Sequence, residues 1–108
     1  MRLNRNQLTE KVINSLDKSG FNVNPNVTDL VIKHLAKVQL EEITKGNSIE
    51  LEGVGTVNPS WRRISEAFTS VPYTSKLTVN INQSLKHKLN SNLASDPKYR
   101  IAVGASEL

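Results

Sequence analysis

The stretch that decides the fold lies at residues 46–57 and reads GNSIELEGVGTV. Gly46 is typical of the left-handed residue that ends a helix. Ile49 and Leu51 alternate with polar neighbours, which predicts a short strand with one apolar face. The glycines of the GVG triplet at 53–55 permit a tight turn or bulge and a close approach of two backbones. The stretch therefore predicts a helix end, a strand, a turn and a second strand.

Two amphipathic helices are predicted before this stretch. The first covers residues 6–18, where apolar residues recur about every four positions, and Asn4 or Asn6 is its expected cap. The second covers about 25–45, starts at a proline and has Asn24 as its cap. Its apolar row is broader than the first helix alone covers, which indicates burial against a second subunit.

The remaining elements follow the glycine-rich turn. Strands are predicted at 48–52, 56–68 and 76–81, because apolar and polar residues alternate there. The polar link at 69–75 contains a proline and is interpreted as the tip of a protruding hairpin. A short helix capped by asparagine is expected at 82–93.

The chain is expected to divide into one domain, residues 1–94, and a C-terminal tail, residues 95–108. Asp96 and Pro97 break the last helix at this boundary. With 108 residues, the chain has room for a single core of modest size. Its net charge of +4 favours an anionic partner.

The composition argues against several classes of protein. The chain has no cysteine, so it has neither a disulfide framework nor a thiolate metal site. No apolar run approaches membrane length, and no signal peptide follows Met1, so a cytoplasmic location is expected. No serine, histidine and carboxylate set has a recognisable catalytic context, and no phosphate-binding glycine loop is present. We therefore expect neither enzymatic activity nor a cofactor, a metal or a small-molecule substrate.

The order of elements resembles the bacterial histone-like HU and integration host factor family of DNA-binding proteins. The resemblance covers about residues 4–93, most of the expected domain, and is most specific at the turn Gly53-Val54-Gly55-Thr56. It implies an α+β fold with two N-terminal helices, a three-stranded antiparallel sheet with a protruding β-arm and a short C-terminal helix. It also implies that two chains, identical or related, intertwine in a dimer.

The resemblance further implies an architectural function: the dimer binds duplex DNA with little sequence specificity and bends or compacts it. Two arms grip the minor groove, and a proline near each tip wedges between base steps. The residues expected to bind DNA are Arg62, Arg63, Pro72, Tyr73, Lys76, Lys86 and Lys88. Because these cations would neutralise phosphates, we expect binding to weaken steeply with salt.

The arm of this chain departs from the family pattern. The segment after Gly55 is several residues shorter, and Glu66 lies among few cations, which predicts a milder bend. An alternative is a structural or protein-interaction module that keeps the fold and uses the short arm and the apolar residues 101–103 of the tail. A nucleoid-associated protein of the cytoplasm and a virus-encoded protein acting on DNA in the host cytoplasm or virion both fit the sequence.

Overall fold

The computed structural model describes residues 1–64 and 72–108. Its helices and strands are α1 (Arg5–Lys18), α2 (Pro25–Thr44), β1 (Ile49–Leu51), β2 (Gly55–Arg63), β3 (Tyr73–Ile81), α3 (Gln83–Ser95) and α4 (Pro97–Ala102). The chain divides into two compact units, Met1–Glu41 and Glu42–Leu108. The α+β architecture predicted from the sequence is confirmed.

The first unit contains α1 and the larger part of α2. Asn4 caps α1 through a reciprocal pair of bonds: its side chain accepts from the Gln7 amide, and the Gln7 side chain accepts from the Asn4 amide, both at 2.9 Å. This capping box selects Asn4 over Asn6 as the cap. Arg5 joins the two helices through an ion pair of 3.2 Å with Asp29.

Both ends of α2 follow the local signals in the sequence. The Asn24 side chain accepts hydrogen bonds from the amides of Asn26 and Val27, at 2.9 and 3.3 Å, as expected of the predicted cap. At the other end, Gly46 has a φ of 91° and the Asn47 amide donates to the Glu42 carbonyl at 3.0 Å. The left-handed residue at Gly46 therefore ends the helix as predicted.

The second unit is built on an antiparallel sheet in the order β1-β2-β3. Ile49 pairs with Val57, and Val57 pairs in turn with Val79 on the other side of β2. The β2–β3 ladder begins with Gly55 opposite Ile81 and continues toward the arm tip. Apolar side chains of three strands thus share one face of the sheet.

The ladder reaches further toward the arm tip than the sequence predicted. β3 begins at Tyr73, opposite Arg63, so the interpretation of residues 73–75 as part of a polar link is wrong. Tyrosine and threonine favour strands, and pairing with β2 supplies their backbone hydrogen bonds. One more bond, from the Ile64 amide to the Pro72 carbonyl at 2.9 Å, follows the last rung. The predicted tip at 69–71 and the predicted end of β2 at 65–68 lie outside the described residues.

No apolar side chain is buried among residues 1–64 and 72–108, where only Thr9 and Gly55 are buried. Large apolar side chains of α2 and β3 are about half exposed, including Leu35 at 56% and Val79 at 54%. So many exposed apolar side chains are unusual on a single chain, because burial of such side chains is the main favourable term in folding.

The C-terminal tail contains a helix that the sequence reasoning missed. α3 ends at Ser95, as the Asp96-Pro97 break predicted, but the same two residues also start α4. The Asp96 carboxylate accepts from the Lys98 amide at 3.0 Å, and Pro97 occupies the first helical turn. α4 packs against α3. The domain boundary at residue 94 stays a prediction.

Candidate nucleic-acid interface

The two faces of the β2–β3 hairpin differ in chemistry. Side chains alternate between the faces along each strand, and the register pairs most polar residues of β2 with polar residues of β3. One face is polar, and we call it the polar face. It carries Thr56, Asn58, Ser60 and Arg62 of β2 and Thr74, Lys76, Thr78 and Asn80 of β3. The opposite face, the apolar face, carries Val57, Pro59 and Trp61 of β2 and Leu77, Val79 and Ile81 of β3.

Two cations lie close together on the polar face. Arg62 stands opposite Thr74, and Lys76 stands opposite Ser60. Arg62 and Lys76 are therefore diagonal neighbours across the two strands, a position at which Cα atoms are about 7–8 Å apart. Both side chains are exposed, so their charges are open to a ligand on this face.

Arg63 belongs to the opposite face. Its Cζ atom lies 5.7 Å from the centre of the Tyr73 ring, the residue directly across the ladder. The Tyr73 ring in turn meets Trp61 edge to face, with ring centres 5.4 Å apart and an interplanar angle of 83°. We call these three residues the aromatic cluster. Trp61 packs on Tyr73 yet remains 63% exposed.

The polar face also carries uncharged and acidic groups that the sequence reasoning did not single out. Asn58 accepts a hydrogen bond from the Ser48 hydroxyl at 2.7 Å, which orients its amide next to β1. Glu50 of β1 pairs with Thr56 and places a carboxylate at the end of the sheet far from the arm. The strand register is needed to recognise both pairs, Ser48 with Asn58 and Glu50 with Thr56, because the partners lie on either side of the turn between β1 and β2.

The start of α3 lies beside the same sheet. Lys86 lines an open groove together with Asn80 of β3, Gln83 of α3 and Tyr99 of α4. Val79 and Ile81 of the apolar face line the same groove, so the groove places Lys86 beside the end of β3 without assigning it to either face. Lys88 is two residues along the helix, about 200° around its axis, and points elsewhere.

The first turn of α3 has amides without a side-chain cap. Asn82 occupies the predicted cap position, but its side chain makes no capping hydrogen bond, so the prediction that it caps the helix is wrong. The amides of such a turn point outward and favour an anion, to which Lys86 adds a positive charge.

The structure places the expected DNA-binding residues in three groups. Arg62 and Lys76 share the polar face, and Lys86 lies beside the end of β3. Arg63 and Tyr73 lie on the opposite face in the aromatic cluster. Pro72 and Lys88 belong to neither face; Pro72 is half-buried and accepts from Ile64 where the described ladder ends.

The glycine-rich turn sets the spacing of the sheet that carries these groups. Gly55 is buried, and a Cβ atom at this position would overlap the carbonyl oxygen of Asn80 in the neighbouring strand. The Asn82 amide donates to the Val54 carbonyl at 2.9 Å, which joins the turn to the start of α3. A residue without a side chain is therefore required where β2 and β3 approach each other.

Residues 1–64 and 72–108 lack the features of two other kinds of site. These residues contain no group of three or more histidine, aspartate or glutamate side chains placed to hold a metal ion. No helix in the same ranges is both long and apolar enough to cross a membrane.

Solved structures with this fold include DNA-binding proteins. A cocrystal structure of Anabaena HU with DNA superposes with a TM-score of 0.63 and 17% identity, over 81% of this chain and 97% of that chain. A protein of Bacteroides vulgatus titled "putative bacterial DNA binding protein" superposes with a TM-score of 0.60 and 12% identity, over 84% of this chain. This chain spans 38% of the length of the Bacteroides protein.

Comparisons of sequence add no relative to these structures. No protein-family model and no curated protein matches the chain. The likeness thus rests on the arrangement of helices and strands, including the three-stranded antiparallel sheet and the helices on either side of it in sequence. The chain has an HU-like fold.

Proposed function

We propose that this protein is an architectural DNA-binding protein that binds duplex DNA with little sequence specificity and bends or compacts it. The observation that carries the proposal is the pair of diagonal cations Arg62 and Lys76 on the polar face, and Lys86 near the start of α3 adds a third cation beside the end of β3. The proposal is supported by the HU-like fold, since the Anabaena protein of that fold was crystallised with DNA.

The chemistry of the polar face suits the DNA backbone. Arginine and lysine neutralise phosphates and release counterions, which supplies most of the free energy of non-specific binding. Threonine, serine and asparagine hydroxyls and amides donate to phosphate and sugar oxygens. Such contacts position a protein on the duplex and carry no direct sequence information, so little sequence preference is expected.

A second phosphate contact is proposed at the start of α3. The outward amides of its first turn would receive the phosphate oxygens, and Lys86 would supply a formal charge. Lys88 points elsewhere and would add only to the long-range attraction that follows from the net charge of +4.

The functional unit is proposed to be an obligate dimer, of identical or related chains. Residues 1–64 and 72–108 bury no apolar side chain, and such a chain cannot offset the loss of conformational entropy on folding by itself. A second copy would cover the exposed apolar side chains of α2 and of the apolar face. Folding and association would then be inseparable.

The arm is proposed to bend DNA mildly. Insertion of Pro72 between base steps would cost a few kcal/mol of unstacking, which contacts between the bent flanks and the protein must offset. On the described part of the arm those contacts rest on few cations, and Glu66 opposes them by sequence. We expect Pro72 to contribute less than the arginines do.

The proposed role needs no catalytic group, cofactor, metal or small-molecule substrate. We expect the protein to act on DNA as a nucleoid-associated protein of the cytoplasm or as a virus-encoded one in the host cytoplasm or virion. Its partners would be double-stranded DNA and a second subunit.

A gel-shift titration of duplex DNA at two salt concentrations tests binding, and light scattering of the same sample tests assembly. We expect a dimer that binds duplexes of unrelated sequence alike and is weakened by the higher salt. Replacing Arg62 and Arg63 together with alanine should weaken binding on all of them. A folded monomer at low micromolar concentration would contradict the dimer, and binding that ignores salt would contradict the phosphate mechanism.

A further inference from the structure

The two adjacent arginines of the arm are both charged and exposed but have different surroundings. Arg62 stands on the polar face, with Lys76 as its diagonal neighbour. Arg63 stands on the opposite face, above the Tyr73 ring at 5.7 Å. Neighbouring residues of a strand project to opposite sides of the sheet. DNA bound to the polar face would therefore contact Arg62 but not Arg63.

The surroundings of Arg63 favour a role within the hairpin. A guanidinium over an aromatic ring is attracted by the negative face of the ring. The Tyr73 ring also meets Trp61 edge to face at 5.4 Å, so the cluster links β2 to β3 by side chains as well as by the ladder. These contacts lie at the last rungs of the described ladder.

The surroundings of Arg62 favour a role toward phosphate. Thr74, opposite Arg62, and Ser60, opposite Lys76, are small and uncharged, so nothing on these rungs competes for the two cations. No ion pair of Arg62 or Lys76 is found within residues 1–64 and 72–108. Among residues 1–64 and 72–108, the nearest acid along this face by register is Glu50, which pairs with Thr56, six residues or about 20 Å from Arg62.

We propose that the two arginines have different functions: Arg62 and Lys76 are the phosphate contacts of the arm, and Arg63 is a positioning residue that holds β2 to β3 through Tyr73 and Trp61. This inference rests on the proposed DNA-binding function and makes it specific to one face of the arm. It also separates Tyr73 and Trp61 from DNA contact and assigns them to the hairpin.

The test compares Arg62→Gln with Arg63→Gln, two variants that remove the same charge from neighbouring positions. The first readout is the slope of log K against log salt concentration for a short duplex. Removal of one phosphate-binding cation should lower the magnitude of this slope by about 0.9 and the affinity at 0.1 M salt by about eightfold. For Arg62→Gln we expect the magnitude of the slope to decrease by about 0.9 per arm, and for Arg63→Gln we expect no change in the slope. Arg62→Lys keeps the charge and should keep the slope of the parent.

The second readout is the fluorescence of Trp61, the single tryptophan of the chain. Arg63→Gln and Tyr73→Leu should change the emission of Trp61 and its quenching by acrylamide. Arg63→Lys should change them as Arg63→Gln does, because an ammonium lacks the planar stacking surface of a guanidinium. Arg62→Gln should leave the emission unchanged. Circular dichroism of each variant shows whether the helices and sheet are retained.

The outcomes separate this inference from the proposed function. A parent protein that binds no duplex DNA overturns the proposed function before any variant is compared. If the parent binds but both glutamine variants lower the slope alike, or only Arg63→Gln lowers it, the division between the arginines is wrong. It is also wrong if neither variant lowers the slope, or if DNA strongly quenches Trp61, because then the aromatic cluster contacts the bases.

Discussion

Replacing Gly55 with alanine should destabilise the protein more than the same substitution at the other glycine of the glycine-rich turn. The new Cβ would overlap the carbonyl oxygen of Asn80 and lie 3.0 Å from the Cα of Ile81. Both are backbone atoms of the paired strand, so no side-chain rotation relieves the overlap, and β2 and β3 must separate.

Two contributions determine how much Gly55→Ala lowers the free energy of unfolding. Forcing extra volume into a packed site costs about 1–3 kcal/mol, and rigid backbone neighbours place Gly55 at the upper end of this range. Separation of the strands also weakens the Gly55–Ile81 rung and the bond from the Asn82 amide to the Val54 carbonyl. Each hydrogen bond is worth about 1 kcal/mol, so we expect a decrease of about 3–5 kcal/mol in the free energy of unfolding.

Gly53→Ala is the matched control, two residues away in the same turn. Gly53 has a φ of 77° and nothing within 4 Å of an added Cβ, so its substitution costs only the backbone strain of a left-handed residue. That strain is about 1–2 kcal/mol. Gly55 also has a positive φ, of 158°, so both variants carry backbone strain and the difference between them reports mainly the overlap with Asn80.

Urea denaturation followed by circular dichroism measures both variants, at one protein concentration because the proposed dimer makes stability concentration-dependent. We expect the Gly55→Ala midpoint to fall well below that of Gly53→Ala, or the variant to fail to fold. Equal midpoints for the two variants would refute the reasoning, since they would mean that the strands do not approach as closely at Gly55 as the geometry requires.

Three further predictions concern the tail, the bend and the pH. Deletion of the tail, residues 95–108, should leave the proposed dimer intact by light scattering, because Asp96 and Pro97 interrupt the helix between α3 and the rest of the tail; a monomer would refute this. Fluorescence end-to-end distances on a short duplex should show a mild bend that Pro72→Ala reduces less than the double arginine-to-alanine variant; a sharp bend abolished by Pro72→Ala alone would contradict the charge argument. The side-chain hydrogen bond from Asn47, with a smaller contribution from a nearby lysine, holds the pKa of Glu42 below its ordinary value of 4.5. Stability from this carboxylate should thus be present above pH 4.5 and disappear as the pH falls below it, and urea midpoints of Glu42→Gln should lack that part of the acid dependence.

Helix ends were predictable because their hydrogen bonds close within a few residues. Asn24 accepts from amides two and three positions ahead, and Asn47 donates to Glu42 five positions back. The alternation of Ile49 and Leu51 also identified β1 and its apolar face. In each case the residue and its partner lie in the same short window, so a local pattern contains the whole interaction.

The start of β3 and the helix α4 depended on contacts that a local pattern does not contain. Tyr73 is in a strand because it pairs with Arg63, ten residues earlier. Pro97 is typical of the end of one helix, yet with Asp96 as its cap it also starts α4, which packs on α3. A proline forbids continuation of the preceding helix but favours the first turn of a new one, and only the packing partner decides between an irregular tail and a helix.

By itself, the sequence determined the class of fold, the Asn24 cap and the fact that Arg62 and Arg63 project to opposite sides, since alternation is a property of any strand. Which side each arginine takes, and what it meets there, was decided by the tertiary structure. The register placed Lys76 diagonally from Arg62 and Tyr73 opposite Arg63. A register shift of one residue would exchange these neighbours without any change in sequence, because strand pairing is set by contacts distant along the chain.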